Sequence, residues 1–386
     1  MRLTATIFAV LFAFQSNAQE NKLSISGRAW ASLENVSVTD ATAAANVLPR
    51  YRVTNDASWI RVRGDLKLSD TLTAWGQIES QFAIDGGAAT PFDSGRNTGV
   101  GFTSKVFGTI FLGRWDSPMK ISTIRLDPWG NSTIMNYAAT VGTGPNTGGN
   151  LFDARLANGV QYWTPVVSGL QLRAAAMVNE DRTSTGAQQD PSVLSFSATY
   201  DGPLYLAVSY ETRKDCSAAN GQAAQICTPG GSLLGAHGRD WSLRAGAGIN
   251  LKPTHTELGV VFDRIYDFAD VGATTRSQGR NSFYGSLVQG LGGDAHQIVV
   301  AGGIALKLSG NTLPAGPARD RTGAVWYTAA YRYNFNKDLF VYGGYVRIMN
   351  DANAAYRFGS AGLAGAATNP TGGTYNGWSI GTRYLF

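Results

Sequence analysis

The sequence of 386 residues has no long apolar run after its first eighteen residues, and it is poor in charge, histidine and cysteine. No later stretch approaches the roughly 20 consecutive apolar residues that a membrane-spanning helix needs. Only 15% of the residues are charged, against about 25% in an ordinary soluble domain. The three histidines have no spacing that would place two of them on one metal ion. The sequence therefore excludes helical membrane spans and predicts neither a metal site nor a cofactor.

The two cysteines, Cys216 and Cys227, lie in the Gly/Ala/Asn-rich run "CSAANGQAAQICTPGG". This context suits a loop disulfide in an exported protein that folds in an oxidising compartment. Free thiols or half of a metal site are the alternatives, but no further cysteine or nearby histidine completes a zinc pattern. We expect the disulfide.

The first eighteen residues resemble a secretory signal peptide. Arg2 supplies the positive charge, "LTATIFAVLFAF" the apolar run and "SNA" at 16–18 the small-residue cleavage pattern. We therefore expect residues 1–18 to be removed, and residues 19–386 to form one domain.

The chain is rich in glycine, with 47 residues, and in aromatic residues, at 11%, yet its mean hydropathy is only −0.11. Alternation explains this combination. In "LSISGRAWASL", Leu23, Ile25 and Leu33 fall on one face of a period-two strand, and Ser24 and Arg28 fall on the other. A barrel wall with lipid on one face and water on the other has such near-neutral hydropathy.

The same alternation predicts sixteen strands. We place them at 23–33, 57–68, 71–83, 96–104, 107–115, 157–164, 169–180, 193–201, 203–213, 239–251, 254–265, 280–290, 294–309, 322–334, 338–349 and 376–386. Tight turns alternate with long loops, and an even strand count lets an up-and-down sheet close. The predicted fold is an all-β, 16-stranded antiparallel transmembrane β-barrel. A soluble β-sandwich or a large secreted barrel is the alternative, but a packed core could not hold the polar rows of these strands.

The C-terminal strand "GWSIGTRYLF" predicts how the sheet closes. Trp378, Ile380, Tyr384 and Phe386 form its outward row, and Arg383 lies in its inward row. A closed sheet needs this strand to pair with the first one.

Alternation also sorts the charged residues, and the inward rows are mainly basic. The basic set is Arg28, Arg61, Arg63, Arg155, Arg173, Arg213, Arg244, Arg332, Arg347 and Arg383. The acidic set is Glu79, Glu211, Glu257 and Asp263. Arginine keeps its charge at any working pH. We therefore predict an anion-selective lumen; the alternative is that these arginines only brace the wall in ion pairs.

Several motifs in this order resemble those of the Gram-negative general porins. "LSISGRAWASL", "SWIRVRGDL" and "TAWGQIESQF" resemble the first three porin strands, the third with its pattern at Gln77, Glu79 and Ser80. "FGTIFLGRWDSP" resembles the fifth strand, and the terminal Phe386 resembles the signal that the barrel assembly machinery recognises. The resemblance covers essentially the whole mature chain.

The resemblance implies that a loop at about 115–149, with the turn "DPWGN", folds into the barrel and narrows it. Its acids would be Asp116 and Asp127, opposite a basic wall that matches Arg28, Arg63, Arg114 and Arg155. Trp59 departs from the pattern, because many relatives have a basic residue there, and Arg61 can replace it. The inward placement of Arg114 depends on the resemblance alone, because a bulge near Gly113 could reverse its side.

The resemblance further implies a homotrimer in the outer membrane, in contact with lipid and lipopolysaccharide, that has no enzymatic activity. Passive diffusion of small hydrophilic solutes, with small anions favoured, is the predicted function. A channel selective for phosphate, sulfate or an organic acid and a plugged structural barrel are the alternatives. A nucleic-acid partner is not expected, because the arginines are interleaved in strands and form no exposed stripe.

Overall fold

The computed structural model describes residues 21–42, 46–86, 95–143, 152–178, 191–214, 239–266, 279–309, 320–358 and 370–386. Sixteen strands form a single antiparallel sheet that closes on itself. They are β1 (Asn21–Thr39), β2 (Val47–Asn55 with Trp59–Lys67), β3 (Leu72–Gln81), β4 (Thr98–Ser104), β5 (Gly108–Asp116), β6 (Arg155–Trp163), β7 (Leu170–Met177), β8 (Ser192–Asp201), β9 (Leu204–Lys214), β10 (Arg239–Leu251), β11 (Thr256–Tyr266), β12 (Gly279–Gly290), β13 (His296–Ala305), β14 (Ala324–Asn334), β15 (Leu339–Asn350) and β16 (Thr374–Leu385). The predicted sixteen-stranded barrel is confirmed.

The first and last strands close the barrel. β1 pairs with β16 from Arg28 opposite Leu385 to Thr39 opposite Thr374. Phe386 continues the ladder, because it and Gly27 exchange backbone hydrogen bonds of 2.7 and 3.0 Å. No edge of the sheet is left open along this seam, which is what a hydrocarbon environment requires of a spanning sheet.

The two faces of the wall differ as alternation predicts. The outward side chains of Leu23 and Ile380 are 69% and 68% exposed, whereas inward Ser379, next to Ile380, is 1% exposed. Trp378, Tyr384 and Phe386 are also exposed on the outward row. The outer face is therefore mainly a continuous apolar surface, and most polar residues of the wall face the interior.

β1 and β2 are longer than predicted. Residues 47–55 were expected to lie in a loop, but they pair with the second half of β1, and Trp59–Lys67 pair with its first half. The ladder shifts register between Val36 and Val38, where Leu48 and Pro49 form a bulge. A bulge needs no ladder hydrogen bond from proline, so Pro49 is tolerated in the strand. Alternation did not predict a strand at 47–55, because the segment contains a proline and a short polar run.

The chain after β5 folds into the barrel. It begins with the helix α1 (Pro118–Thr123), whose Ser117 side chain accepts a hydrogen bond from the Lys120 amide, and continues through 3₁₀ turns at Ile124–Leu126 and Tyr137–Ala139. α1 has six residues, and within the described residues no helix has the length and hydropathy to cross a membrane.

Inward-facing glycines leave room for this loop against the wall. A Cβ atom at Gly246 or Gly248 would lie 2.6 Å from the Leu126 side chain, and a Cβ at Gly377 would lie 2.7 Å from Ile134. Near Gly377, Trp129 of the same loop packs on Tyr342 of the neighbouring strand β15, with ring centroids 5.1 Å apart. The buried core of the protein therefore lies between the loop and the inner wall.

Candidate functional site

The loop that follows β5, with residues 117–143 described, is the constriction loop. It is held to the inner wall by a buried cluster of two arginines and two aspartates, the anchor cluster. Arg244 of β10 binds Asp153 at 2.8 Å and Asp263 of β11 at 3.1 Å, and Arg280 of β12 also binds Asp263 at 3.1 Å. All four side chains are fully buried. Asp263 also accepts a hydrogen bond of 3.0 Å from the loop amide of Gly142. The charges balance, so the cluster fixes the loop without adding net charge.

Arg244 was predicted to line the lumen, and this is wrong for its side chain. It lies on the inward row, but the loop covers it completely. The alternation of β10 gave its side correctly. The covering loop could not be recognised from that strand.

The root of the loop carries a second charged group. Asp116, the last residue of β5, binds Lys120 at 3.1 Å and Arg155 at 3.2 Å, and it accepts a hydrogen bond from Asn97. Burial lowers the pKa of Lys120, and the neighbouring Asp116 carboxylate partly offsets this effect. Asp116 and Arg155 are therefore partners at the base of the loop and do not face each other across a gap.

Glu79 of β3 neutralises part of the predicted basic wall. It binds Arg61 at 2.5 Å and Arg96 at 2.7 Å, with Glu79 buried beneath both. Arg61 also lies 4.6 Å from the centroid of the Trp59 ring. Arg96 was not predicted as a site residue, although it stands at the start of a predicted strand and its charge could have flagged it.

Arg63 of β2 is also compensated. It binds Asp65, two residues further along the same inward row, at 2.9 Å, and lies 4.4 Å from the centroid of Trp75. Its contact with the predicted Gln77 is 3.5 Å long. Asp65 was not predicted as a partner of Arg63, because the predicted set of inward acids did not include it.

Three further arginines form an arginine–aromatic row across β14, β15, β16 and β1. Arg332 and Arg383 both lie near the Phe340 ring, at 5.3 and 4.3 Å from its centroid. Arg383 and Arg28 lie 5.8 and 5.2 Å from the centroid of Trp30. Among the described residues, none of these arginines forms a salt bridge with a carboxylate. The row is therefore a strip of positive charge on the inner wall without carboxylate salt bridges, and its arginines are called uncompensated in this sense.

The arginine–aromatic row meets the constriction loop. Arg28 donates to the Ala57 carbonyl at 2.7 Å and to the Ser132 hydroxyl of the loop at 3.0 Å. Arg332 donates to Gln297 at 2.6 Å and to the Pro128 carbonyl of the loop at 3.4 Å. Neutral oxygens thus orient these guanidinium groups and leave their charge intact.

Arg173 of β7 has the same kinds of partners as the arginines of this row, namely neutral oxygen atoms and an aromatic ring. It donates to the side-chain oxygens of Gln171 and Thr199 and lies 5.4 Å from the centroid of Trp163. It forms no salt bridge with a carboxylate in the described part of the chain. Its inward placement agrees with the prediction.

Asp127 of the constriction loop is buried, at 4% exposure, and binds backbone amides of its own loop. It accepts from Trp129 at 3.1 Å and from Asn131 at 2.8 Å. Burial raises the pKa of Asp127 to about 7, although these amides lower it. Asp127 was expected to face the basic wall. Its carboxylate instead points toward the backbone of its own loop, where it caps the turn.

Alternation along β5 does not fix the side of Arg114. It pairs with Thr98, but the ladder to β6 shifts register between Gly113 and Trp115, and Gly113 has φ 144°. The Arg114 Nε atom is buried. The inward placement of Arg114 therefore stays a prediction.

Arg347 of β15 pairs with Tyr327, which is exposed on the outer face. Its neighbours Val346 and Ile348 are fully buried on the inner face. The prediction that Arg347 faces inward is wrong, because the apolar residues of this strand's upper half pack under the constriction loop. Apolar residues there mark the inner face, which reverses the usual sense of the pattern.

Several predictions fall on residues outside those described. They are the signal peptide at 1–18, the disulfide between Cys216 and Cys227, and the part of the constriction loop at 144–151.

Comparison with known proteins agrees with this architecture. The family model for Gram-negative porin matches residues 5–353. No match was found among curated proteins. An anion-selective porin from Comamonas acidovorans has a similar structure, with a TM-score of 0.75 at 19% identity over 95% of this chain and 100% of that chain.

Two further solved structures are similar. The trimer form of OmpT from Vibrio cholerae gives a TM-score of 0.62 at 15% identity over 95% of this chain and 99% of that chain. OmpF of Salmonella typhi in complex with daunomycin gives 0.58 at 15% identity over 96% of this chain and 100% of that chain. At these identities, the structures establish the fold, and the family model establishes the membership. The chain belongs to the Gram-negative porin family, whose members are outer-membrane β-barrels that act as passive channels and not as enzymes.

Proposed function

We propose that this porin forms a water-filled channel for small hydrophilic solutes and that it favours anions. The observation that carries the proposal is the arginine–aromatic row, in which Arg28, Arg332 and Arg383 form no salt bridge with a carboxylate among the described residues. Arg173 adds a further uncompensated charge. The basic residues that have such partners contribute less, since Glu79, Asp65 and Asp116 offset much of their charge.

Simple electrostatics gives the expected size of the effect. A unit charge about 5 Å from a passing ion contributes on the order of 0.8 kcal/mol even at the dielectric constant of water. Screening at physiological salt acts over about 8 Å, so an ion near the row is attracted by several arginines at once. Two or three uncompensated charges then favour anions by about tenfold. The Comamonas acidovorans porin, which is described as anion-selective, supports the same direction.

The experiment is a planar-bilayer recording of the purified protein under a potassium chloride gradient. The expected reversal potential has the sign of anion permeation, and the conductance rises with salt concentration without saturation. A reversal potential of cation sign refutes the proposal. Saturation with a single anion, while other anions of similar size and charge conduct without saturation, would instead support the channel for phosphate, sulfate or an organic acid. Zero conductance would support the plugged barrel.

We also infer that the protein assembles as a homotrimer in contact with outer-membrane lipid and lipopolysaccharide. The continuous apolar outer face supports burial in lipid and against neighbours. The trimer form of the OmpT structure supports the trimer as the oligomeric state. Mass measurement of the detergent-solubilised protein tests it, because a single-chain mass would contradict the trimer.

Phe386 supports recognition by the barrel assembly machinery, since it completes the outward row of β16 at the seam with β1. Deletion of Phe386 should reduce the amount of protein in the outer membrane without changing its conductance. Normal assembly of the shortened chain would contradict this role.

A further inference from the structure

Four aromatic side chains form a cluster on the inner wall. This is unusual, because the interior of a porin barrel is usually polar. The aromatic cluster consists of Trp75 of β3, Phe111 and Trp115 of β5, and Trp163 of β6. Phe111 lies 5.4, 5.0 and 5.3 Å from Trp75, Trp115 and Trp163, measured between ring centroids. These separations are typical of favourable edge-to-face and tilted aromatic pairs.

Alternation shows that the cluster faces the interior. Ile110 and Leu112 flank Phe111 in β5, and both are exposed on the outer face. Tyr162, next to Trp163, is likewise exposed. Phe111, Trp115 and Trp163 therefore belong to the inward rows.

The intervening strand is shaped to let the rings meet. Gly101 of β4 pairs with Trp75 on one side and with Phe111 on the other. A Cβ atom at Gly101 would lie 2.4 Å from the Phe111 Cβ atom. The absence of a side chain at Gly101 allows Trp75 and Phe111 to close over the strand.

The surface that the cluster presents is apolar. Trp75 and Phe111 are buried, whereas Trp115 and Trp163 are half-buried. The Trp163 indole N–H donates to the Gln161 side chain at 3.1 Å, and the Trp75 N–H donates to Thr103 at 3.1 Å. With its N–H group satisfied, the half-buried Trp163 ring presents mainly carbon atoms to the lumen.

An arginine lies at each end of the cluster, and only one of the two is paired with a carboxylate. Arg63 lies over Trp75, and Asp65 neutralises it. Arg173 lies beside Trp163 and has no carboxylate partner among the described residues. Its buried Nε atom has no hydrogen-bond acceptor there either. The cluster thus has an uncompensated cation at the Trp163 end.

We propose that Trp115, Trp163 and Arg173 form a subsite for small planar aromatic carboxylates, with the ring against the indoles and the carboxylate at Arg173. A planar π system gains from offset-stacked or edge-to-face pairing with an indole, whereas an alicyclic ring of similar size and charge lacks the ring quadrupole that favours this pairing. A guanidinium group binds a carboxylate through paired N–H donors. The inference rests on the proposed channel function, since the ligand must enter the lumen.

The test compares benzoate with cyclohexanecarboxylate in planar-bilayer recordings of the intact protein. The two acids share charge and approximate size. Aromatic pairing predicts that the benzoate current reaches half-saturation at a concentration about 2- to 10-fold lower. Trp163→Leu should remove this difference, and Arg173→Gln should raise the half-saturating concentration of both acids. Trp378→Leu, on the exposed outer face, is the matched control and should keep the wild-type difference.

The outcomes separate the subsite from the proposed function. Equal behaviour of the two acids in the wild-type channel, with an anion-signed potassium chloride reversal potential, refutes only the subsite. A cation-signed potential refutes the proposed function, whatever the acids show. A benzoate preference that persists in Trp163→Leu would show that the preference does not arise at Trp163, and it would also overturn the subsite. Should that variant fail to assemble, the wild-type comparison and Arg173→Gln decide.

Discussion

The anchor cluster predicts how strongly the constriction loop is held to the wall, and the contacts of the cluster set the size of the expected effect. Asp263 is its central acceptor, since it binds Arg244, Arg280, the Ser242 hydroxyl and the Gly142 amide. Asp263→Asn keeps the size of the side chain but removes its charge. Arg244 would then keep Asp153 as its partner, and Arg280 would lose its carboxylate partner in the cluster.

Breaking a buried ion pair by removing one partner costs about 3–5 kcal/mol. Since the cluster ties the returning part of the loop to the wall, most of this cost should appear as easier opening of the loop. About 1.4 kcal/mol corresponds to a factor of ten, so loop opening should become more frequent by two to three orders of magnitude. The barrel itself should persist, because its ladder hydrogen bonds are unchanged.

Hydrogen–deuterium exchange of the loop amides at 137–143 measures this opening, and single-channel recording should show added current fluctuation. Asp201→Asn is the matched control, because Asp201 pairs with Arg125 of the same loop at 2.7 Å, with side chains 62% and 50% exposed. An exposed pair contributes about 1 kcal/mol or less. Equal exchange rates in the two variants would refute the assignment of the anchor.

Two further predictions concern the loop and the wall. Burial raises the pKa of Asp127 from 3.8 to about 7, so its contribution to loop stability is complete below about pH 4 and is lost as the pH rises through 7. Current fluctuation should therefore increase between pH 5 and pH 8, and an unchanged pH response in Asp127→Asn would contradict this. Gly101→Leu should lower the temperature at which the barrel unfolds in gel electrophoresis, because its Cβ would overlap Phe111, whereas Gly64→Leu, with open space around it, should not. Equal unfolding temperatures would exclude the close packing at Gly101.

Alternation alone predicted most of the wall, because one face of each strand contacts lipid and the other faces the interior. It gave the outward row that ends at Phe386 and the inward positions of Arg28, Arg332 and Arg383. Alternation failed to predict the side of a residue where the constriction loop covers the inner face of the wall. Arg347 was misplaced because its apolar neighbours Val346 and Ile348 pack under the loop.

The pairing of charges was harder to predict than their side of the wall. Arg61 and Arg63 were correctly placed, but Glu79 and Asp65 compensate them at distances that depend on register. Arg244 is hidden because a loop distant in sequence folds over it. Such contacts depend on tertiary packing, which neither period nor motif encodes.

The central claim is that the uncompensated arginines of the arginine–aromatic row create the preference for anions. The most direct test is the potassium chloride reversal potential of the variant Arg28→Gln/Arg332→Gln/Arg383→Gln, beside Lys337→Gln on the exposed rim as the control for altered charge. The triple variant should lose an anion preference of about tenfold and approach zero reversal potential, while the rim variant keeps the wild-type value. A triple variant that is as anion-selective as the wild type would contradict the claim.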